Sequence, residues 1–469
     1  MLTRYRHYAA RRLAELGPRF LPFADAASAD LPLSRLLRLS LFQVTVGMAL
    51  VLLVGTLNRV MIVELETPAS LVAFMIALPI VFAPFRALIG FRSDVHVSAL
   101  GWRRAPFIWR GTMLQFGGFA IMPFALLVLS GYAEAANAPL WIGFVGAAAA
   151  FLLVGAGVHM VQTVGLALAT DLAPPEAQPK VVGLMYVMLL LGMMASALIF
   201  GALLTDYTPG KLIRVIQGAA VVTIVLNVIA MWKQEPRDRS RAQRLAPQSD
   251  FRTAWAAFIS GPDATRRLVV IGLGTVGFGM ADVLLEPYGG HVLGLSVAAT
   301  TKLTAAFAGG GLLGFALAAR VLSRSGDAMR MAAWGAAVGV PAFAAIVLAA
   351  STQSVGAFLV GIVLVGFGAG LFGHGALTAT MRAAPKDQAG LALGAWGAVQ
   401  ATAAGVAIAL AGVIRDVIVS APAFAEMNSA TPYAVVFTLE MLCLVAALVV
   451  ARPLVGQTQM GAASYSASR

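Results

Sequence analysis

The chain has 469 residues, of which 59% are hydrophobic and only 12% charged, with 33 Lys and Arg against 21 Asp and Glu for a formal net charge of +12. Its mean hydropathy is +0.85. Ordinary soluble domains carry about a quarter charged residues, so water is excluded as the main solvent.

Residues 1–35 form a polar, basic arm containing Pro18, Pro22 and Pro32. Arg4, Arg6, Arg11 and Arg12, interleaved with Tyr5, Tyr8, Leu13 and Leu16, predict a short amphipathic helix lying on an anionic cytoplasmic leaflet of membrane lipids. The arm shows no short apolar core followed by a small-residue cleavage site, so the first span is expected to stay as an anchor. Twelve stretches long enough to cross a bilayer then follow, near residues 36–63, 68–90, 105–130, 138–170, 181–205, 211–233, 266–288, 295–322, 329–350, 354–382, 387–415 and 431–452. The expected organisation is an N-terminal six-helix bundle over 36–233, an Arg-rich cytoplasmic linker over 234–265, a C-terminal six-helix bundle over 266–452 and a cytoplasmic tail over 453–469.

Lys and Arg are retained on the cytoplasmic side of a membrane. With both termini cytoplasmic, only Arg59, Lys211, Arg214 and Arg415 fall on the opposite face. Topology therefore accounts for the positive charge, and nucleic-acid binding gains nothing from it. Cys443 is the only cysteine and lies inside the last span, which excludes disulfides and cysteine-ligated metal clusters within one chain.

A weak internal repeat relates the two halves. Ala169-Thr170-Asp171-Leu172-Ala173-Pro174 at the end of the fourth span parallels Ala379-Thr380-Met381-Arg382-Ala383-Ala384-Pro385 at the end of the tenth. The loop after the second span, Gly90-Phe91-Arg92-Ser93-Asp94, parallels Ser323-Arg324-Ser325-Gly326-Asp327 after the eighth. Small residues, a carboxylate and a guanidinium suit a tight turn in which the acid caps a helix start and pairs with the base. This resembles, in degenerate form, the loop signature of the major facilitator superfamily. The expected fold is all-α, a polytopic membrane protein of twelve transmembrane helices in two six-helix halves.

Charges inside spans are costly and mark partners, cavities or roles. Arg86, Asp282, Glu286, Lys302 and Glu440 qualify. Asp282 and Glu286 are spaced to share one helix face, and Pro287-Tyr288-Gly289-Gly290 is expected to end that helix directly afterwards. The pair could carry protons or bind a cation, or it is a solvated helix terminus or a structural pair with Lys302. Arg59, Glu64 and Glu66 are expected at a watery helix end. His159 and His374 lie inside the fourth and tenth spans, where a neutral imidazole serves either as a helix-to-helix hydrogen bonder or as the ligand of a tetrapyrrole magnesium. The glycines at 309, 310, 311, 314, 366, 368, 370 and 373 provide either close helix packing or a flat surface for a planar ligand. There is no phosphate-cradling loop, zinc-ligand spacing or nucleophile constellation, so no enzyme is expected.

Several segments are more specific. Gly55-Thr56-Leu57-Asn58-Arg59-Val60-Met61-Ile62-Val63-Glu64-Leu65, Pro84-Phe85-Arg86-Ala87-Leu88-Ile89-Gly90-Phe91-Arg92-Ser93-Asp94, Gly101-Trp102-Arg103-Arg104-Ala105-Pro106-Phe107, Leu284-Leu285-Glu286-Pro287-Tyr288-Gly289-Gly290 and Gly394-Ala395-Trp396-Gly397-Ala398-Val399-Gln400-Ala401-Thr402 together resemble the PucC/LhaA family of the major facilitator superfamily, across residues 36–450. The resemblance implies a factor in the inner membrane of phototrophic bacteria, either cytoplasmic or intracytoplasmic photosynthetic. Such a factor assembles light-harvesting antenna complexes and binds or delivers bacteriochlorophyll, with the core antenna LH1 favoured over the peripheral antenna LH2. Implied partners are antenna polypeptides, the reaction centre–core antenna complex, pigment-synthesis enzymes and the membrane insertion machinery. Where other facilitators carry a denser basic turn, this chain has Val95-His96-Val97-Ser98. A proton-coupled solute transporter, in which Asp282 and Glu286 titrate, and a pigment-free scaffold for antenna helices are the competing readings.

Overall fold

The computed structural model describes residues 31–82, 89, 93, 98, 101–174, 177–235, 260–261, 263–324, 326–383, 389–421 and 428–456. Residues 1–30 of the basic N-terminal arm, Arg86, Gly90, Arg92 and Asp94 lie outside them. Every element among the described residues is helical. In chain order they are α1 (Leu33–Glu64), α2 (Ala69–Ala77, extended by a tighter turn over Leu78–Phe82), α3 (Ala105–Leu129), α4 (Leu140–Leu172), α5 (Gln178–Leu203), α6 (Pro209–Met231) and α7 (Ala264–Gly279 and Ala281–His291). There follow α8 (Val297–Leu322), α9 (Ala328–Thr352), α10 (Val355–Ala383), α11 (Ala389–Ser420) and α12 (Thr431–Ala451). Eleven of these are long and apolar enough to cross a membrane, and α2 is a shorter apolar helix within its described residues.

The helices group into two compact units, each built from discontinuous stretches: residues 1–50, 84–196 and 208–246 in one, and 51–83, 197–207 and 247–469 in the other. In the first unit α3 packs along α4 and α6, and α5 meets the first half of α1. There Gly47 and Gly192 lie so close to the facing helix that a Cβ would stand 2.7 Å from backbone atoms of Leu189 and Val44. The buried chain Thr45 to Asn227 to Thr112 ties α1, α6 and α3 together at 2.9 Å per link.

In the second unit α8 and α10 cross at van der Waals contact. A Cβ at Gly310, Gly314 or Gly366 would stand 2.1 Å from the carbonyl oxygen of Val363, Phe367 or Phe307, and one at Gly370 would stand 2.3 Å from that of Gly311. Backbone fills the space at these four positions, so they serve helix packing and leave no slot for a planar ligand.

Two helices depart from regular geometry. In α1, residues Val51–Leu57 and Val60–Glu64 form wide, π-helical turns, with the Leu65 N–H donating to the Val60 carbonyl at 3.0 Å. Such turns are rare and concentrate at functional sites. In α7 the helix is interrupted at Met280 and then runs on through Pro287 to His291. The expected end of the helix at Pro287 is thus displaced. Proline removes the N–H that would serve the carbonyl four residues back, that of Val283. The Asn58 side chain donates to that carbonyl at 2.8 Å instead, so the helix can continue.

Candidate functional site

On the basic face of the first unit, α3 begins at Ala105 with three backbone N–H groups exposed to a partner. Glu235 accepts all three, from Arg103, Arg104 and Ala105, at 2.7, 2.8 and 2.8 Å. Arg104 donates to Ser93 at 2.6 Å and to Asp171 at 3.0 Å, and Arg103 also pairs with Asp171. Of the sequence-predicted loop motif, Arg103 and Arg104 are therefore gathered on Asp171 at the end of α4, and Ser93 is held by Arg104. Asp171 and Glu235 supply the pairing and capping carboxylates. The related turn of the second unit uses Asp327, which accepts the Met329 and Arg330 N–H groups and so caps α9, while Arg382 of α10 donates to the Leu322 and Gly326 carbonyls.

Deeper in the second unit, the wide turns of α1 meet the second half of α7. Gly55 lies against Glu286: a Cβ there would be 2.6 Å from Glu286 Oε1. Glu286 is 5% exposed. Its Oε1 accepts the Thr304 hydroxyl from α8, and its Oε2 has no hydrogen-bond donor. Thr56 and Thr301 share a hydrogen bond of 3.2 Å beside them. Arg59 is only 3% exposed, contrary to a watery helix end. It donates to Glu64 at 2.6 Å and to the Leu295 carbonyl at 3.1 Å, and lies over Gly290, where a Cβ would stand 3.0 Å from its guanidinium. The π-helical turns bring Arg59 inward, a change of phase that a 3.6-residue period does not foresee. In the loop after α5, burial pushes the Tyr207 hydroxyl up to about 12, with Glu64 adding to the shift and Arg59 opposing it.

Asp282 is half-buried one turn before Glu286, as the spacing requires. Lys302 is exposed, its stem running against Gly201, and Glu286 takes Thr304 as its partner in place of the expected Lys302. Glu440, wholly buried in α12, accepts the Ala281 N–H at 2.7 Å and so caps the second half of the interrupted α7. Asp416 of α11 plays the same part for α2, accepting the Ala69 and Ser70 N–H groups at 3.3 and 2.6 Å.

His374 is half-buried on α10, its ring centroid 4.3 Å from that of Phe315 on α8. Adjacent Gly373 has no atom within 4 Å of where a Cβ would stand, unlike the packed glycines of the same helix. An imidazole and an aromatic ring thus meet where α10 faces α8. His159 is half-buried in α4 and belongs to the other unit.

Gly55 and Asn58 were named only within the family-resembling segment, without a role, and Thr304 escaped the sequence reading. Their signal was present in Pro287, whose freed carbonyl needs a donor, and in the polar pair Asn58-Arg59 within an otherwise apolar helix.

The family described as PUCC protein matches residues 56–459. Protein PucC of Rhodovulum sulfidophilum is 70% identical over 420 residues, spanning 89% of this chain and 92% of that protein. Protein PucC of Cereibacter sphaeroides is 62% identical over 445 residues, spanning 95% and 97%. Among solved structures, a D-xylose-proton symporter superposes with a TM-score of 0.66 at 16% identity, over 87% of this chain and 96% of that one. That likeness shows a shared fold and nothing of substrate. The matched length and identities establish that this membrane protein belongs to the PUCC protein family.

Proposed function

We propose that the chain is a non-catalytic assembly factor for bacterial light-harvesting antenna complexes, which takes bacteriochlorophyll as cargo and presents it to antenna polypeptides. The observation that carries the reading is the contact of the His374 imidazole on α10 with the Phe315 ring on α8, next to the unpacked Gly373. His374 would hold the pigment magnesium through its imidazole, and Phe315 would offer a ring face to the macrocycle. Antenna polypeptides are themselves membrane helices and an apolar pigment does not cross water, so transfer takes place laterally within the bilayer. The basic face of the arm and loops is the cytoplasmic one, and the bilayer is the bacterial inner membrane.

Protein purified in mild detergent from pigmented membranes is expected to carry bacteriochlorophyll absorption and antenna polypeptides, and the polypeptides recovered distinguish LH1 from LH2. H374A is expected to lose the pigment and keep the polypeptides. Polypeptides without pigment in the unaltered protein would support a pigment-free scaffold, and neither component attached would contradict the proposal.

A further inference from the structure

We infer that Glu286 is a proton-binding site whose occupancy decides which carboxylate Arg59 pairs with. The inference goes beyond pigment assembly and does not rest on it.

The geometry is reciprocal. Glu286 lies over Gly55 of α1, and Arg59, one turn further along α1, lies over Gly290, one turn further along α7. The two glycines let the helix segments approach, and the guanidinium and the carboxylate lie about one turn apart along them. An arginine side chain spans that distance in either direction. In this structure it reaches outward, to Glu64 and the Leu295 carbonyl, and its Nε has no acceptor. Glu286 is left with the Thr304 hydroxyl on one oxygen and nothing on the other. A buried carboxylate without a cation and with one of its oxygens unmatched is stable only when neutral, so this arrangement is the one in which Glu286 holds a proton. Release of that proton creates a buried negative charge beside Arg59, which then turns from Glu64 to Glu286 and frees the outer end of α1.

Among the described residues, the cations around this half of α7 other than Arg59 are engaged or exposed, and Asp282 adds a second carboxylate beside Glu286. Asp282 is a turn before Glu286 on the same helix, and His291 near its end bonds the Tyr433 hydroxyl at 2.6 Å. Lys302 on α8 is exposed, Arg415 and Asp416 on α11 pair with each other at 2.8 Å, and Glu440 on α12 holds the Ala281 N–H. Arg59 is thus the cation placed to answer Glu286. The wide turns of α1 flank Arg59, and turns of this kind concentrate at functional sites.

Infrared difference spectroscopy of the purified full chain across a pH series tests this. The wild-type-minus-E286Q difference spectrum is expected to show a protonated-carboxylic C=O stretching band at neutral pH that disappears as the pH is raised. E286Q, which keeps the side-chain shape, is expected to lose that band and nothing else. R59M is expected to keep the band through the pH range in which the wild type loses it, because the cation that receives the ionised form is gone. A wild-type-minus-E286Q spectrum with no carboxylic band, or loss of the band at the same pH in R59M and wild type, would overturn the proposal.

Discussion

Replacing Gly314 with alanine is expected to lower the stability of the detergent-purified protein by ~3 kcal/mol, read as a clear fall in thermal midpoint, whereas Gly373→Ala on the facing helix leaves it unchanged or slightly raised. The added methyl carbon at 314 would stand 2.1 Å from the Phe367 carbonyl oxygen, and the atom it strikes is backbone. Neither partner has a rotamer to change. The helices must therefore part by about 1 Å, and the contacts at Gly310, Gly366 and Gly370 loosen with them. At Gly373 nothing lies within 4 Å, so the substitution there gains only the helical preference of alanine. Equal losses at the two positions would show that α8 and α10 do not meet through this glycine face.

Glu440→Ala is the second large effect. The carboxylate sits at the middle of an apolar helix, wholly buried, and accepts the Ala281 N–H at the break in α7. Removing it leaves a buried donor without an acceptor and a void where the side chain was, together worth ~3 kcal/mol. Glu440→Gln retains an acceptor oxygen at the same place and is expected to cost less than about 1 kcal/mol. A glutamine variant as unstable as the alanine variant would assign Glu440 a role that depends on its acid group.

The helices were legible because the apolar runs are separated by turns rich in charge, Gly and Pro. The expected span over 329–350, for instance, is observed as Ala328–Thr352. What the sequence concealed lies where one helix repairs another. Pro287 reads as a terminator by itself, and only the position of Asn58 in space turns it into an interior residue. Arg59 reads as a surface charge near a helix end, and only the widened turns of α1 bury it. Glu440 stood out as an intramembrane acid, yet its partner is a backbone N–H 159 residues away, which no spacing rule anticipates. The glycine runs were ambiguous between packing and ligand space, and the structure separates them residue by residue: Gly310, Gly314, Gly366 and Gly370 meet backbone, and Gly373 meets nothing.

These same residues give the family fold a specific character. A transporter-like helix arrangement is pinned at one level by glycine contacts and at another by buried carboxylate caps, and it sets the His374 ring against Phe315 in an apolar setting. The central claim is that this arrangement serves the assembly of antenna complexes. The measurement that tests it most directly is the absorption spectrum of photosynthetic membranes from a strain lacking the gene for this chain. Loss of an antenna absorption band, restored by the wild-type gene, is the predicted result, and antenna absorption unchanged by the deletion would contradict it.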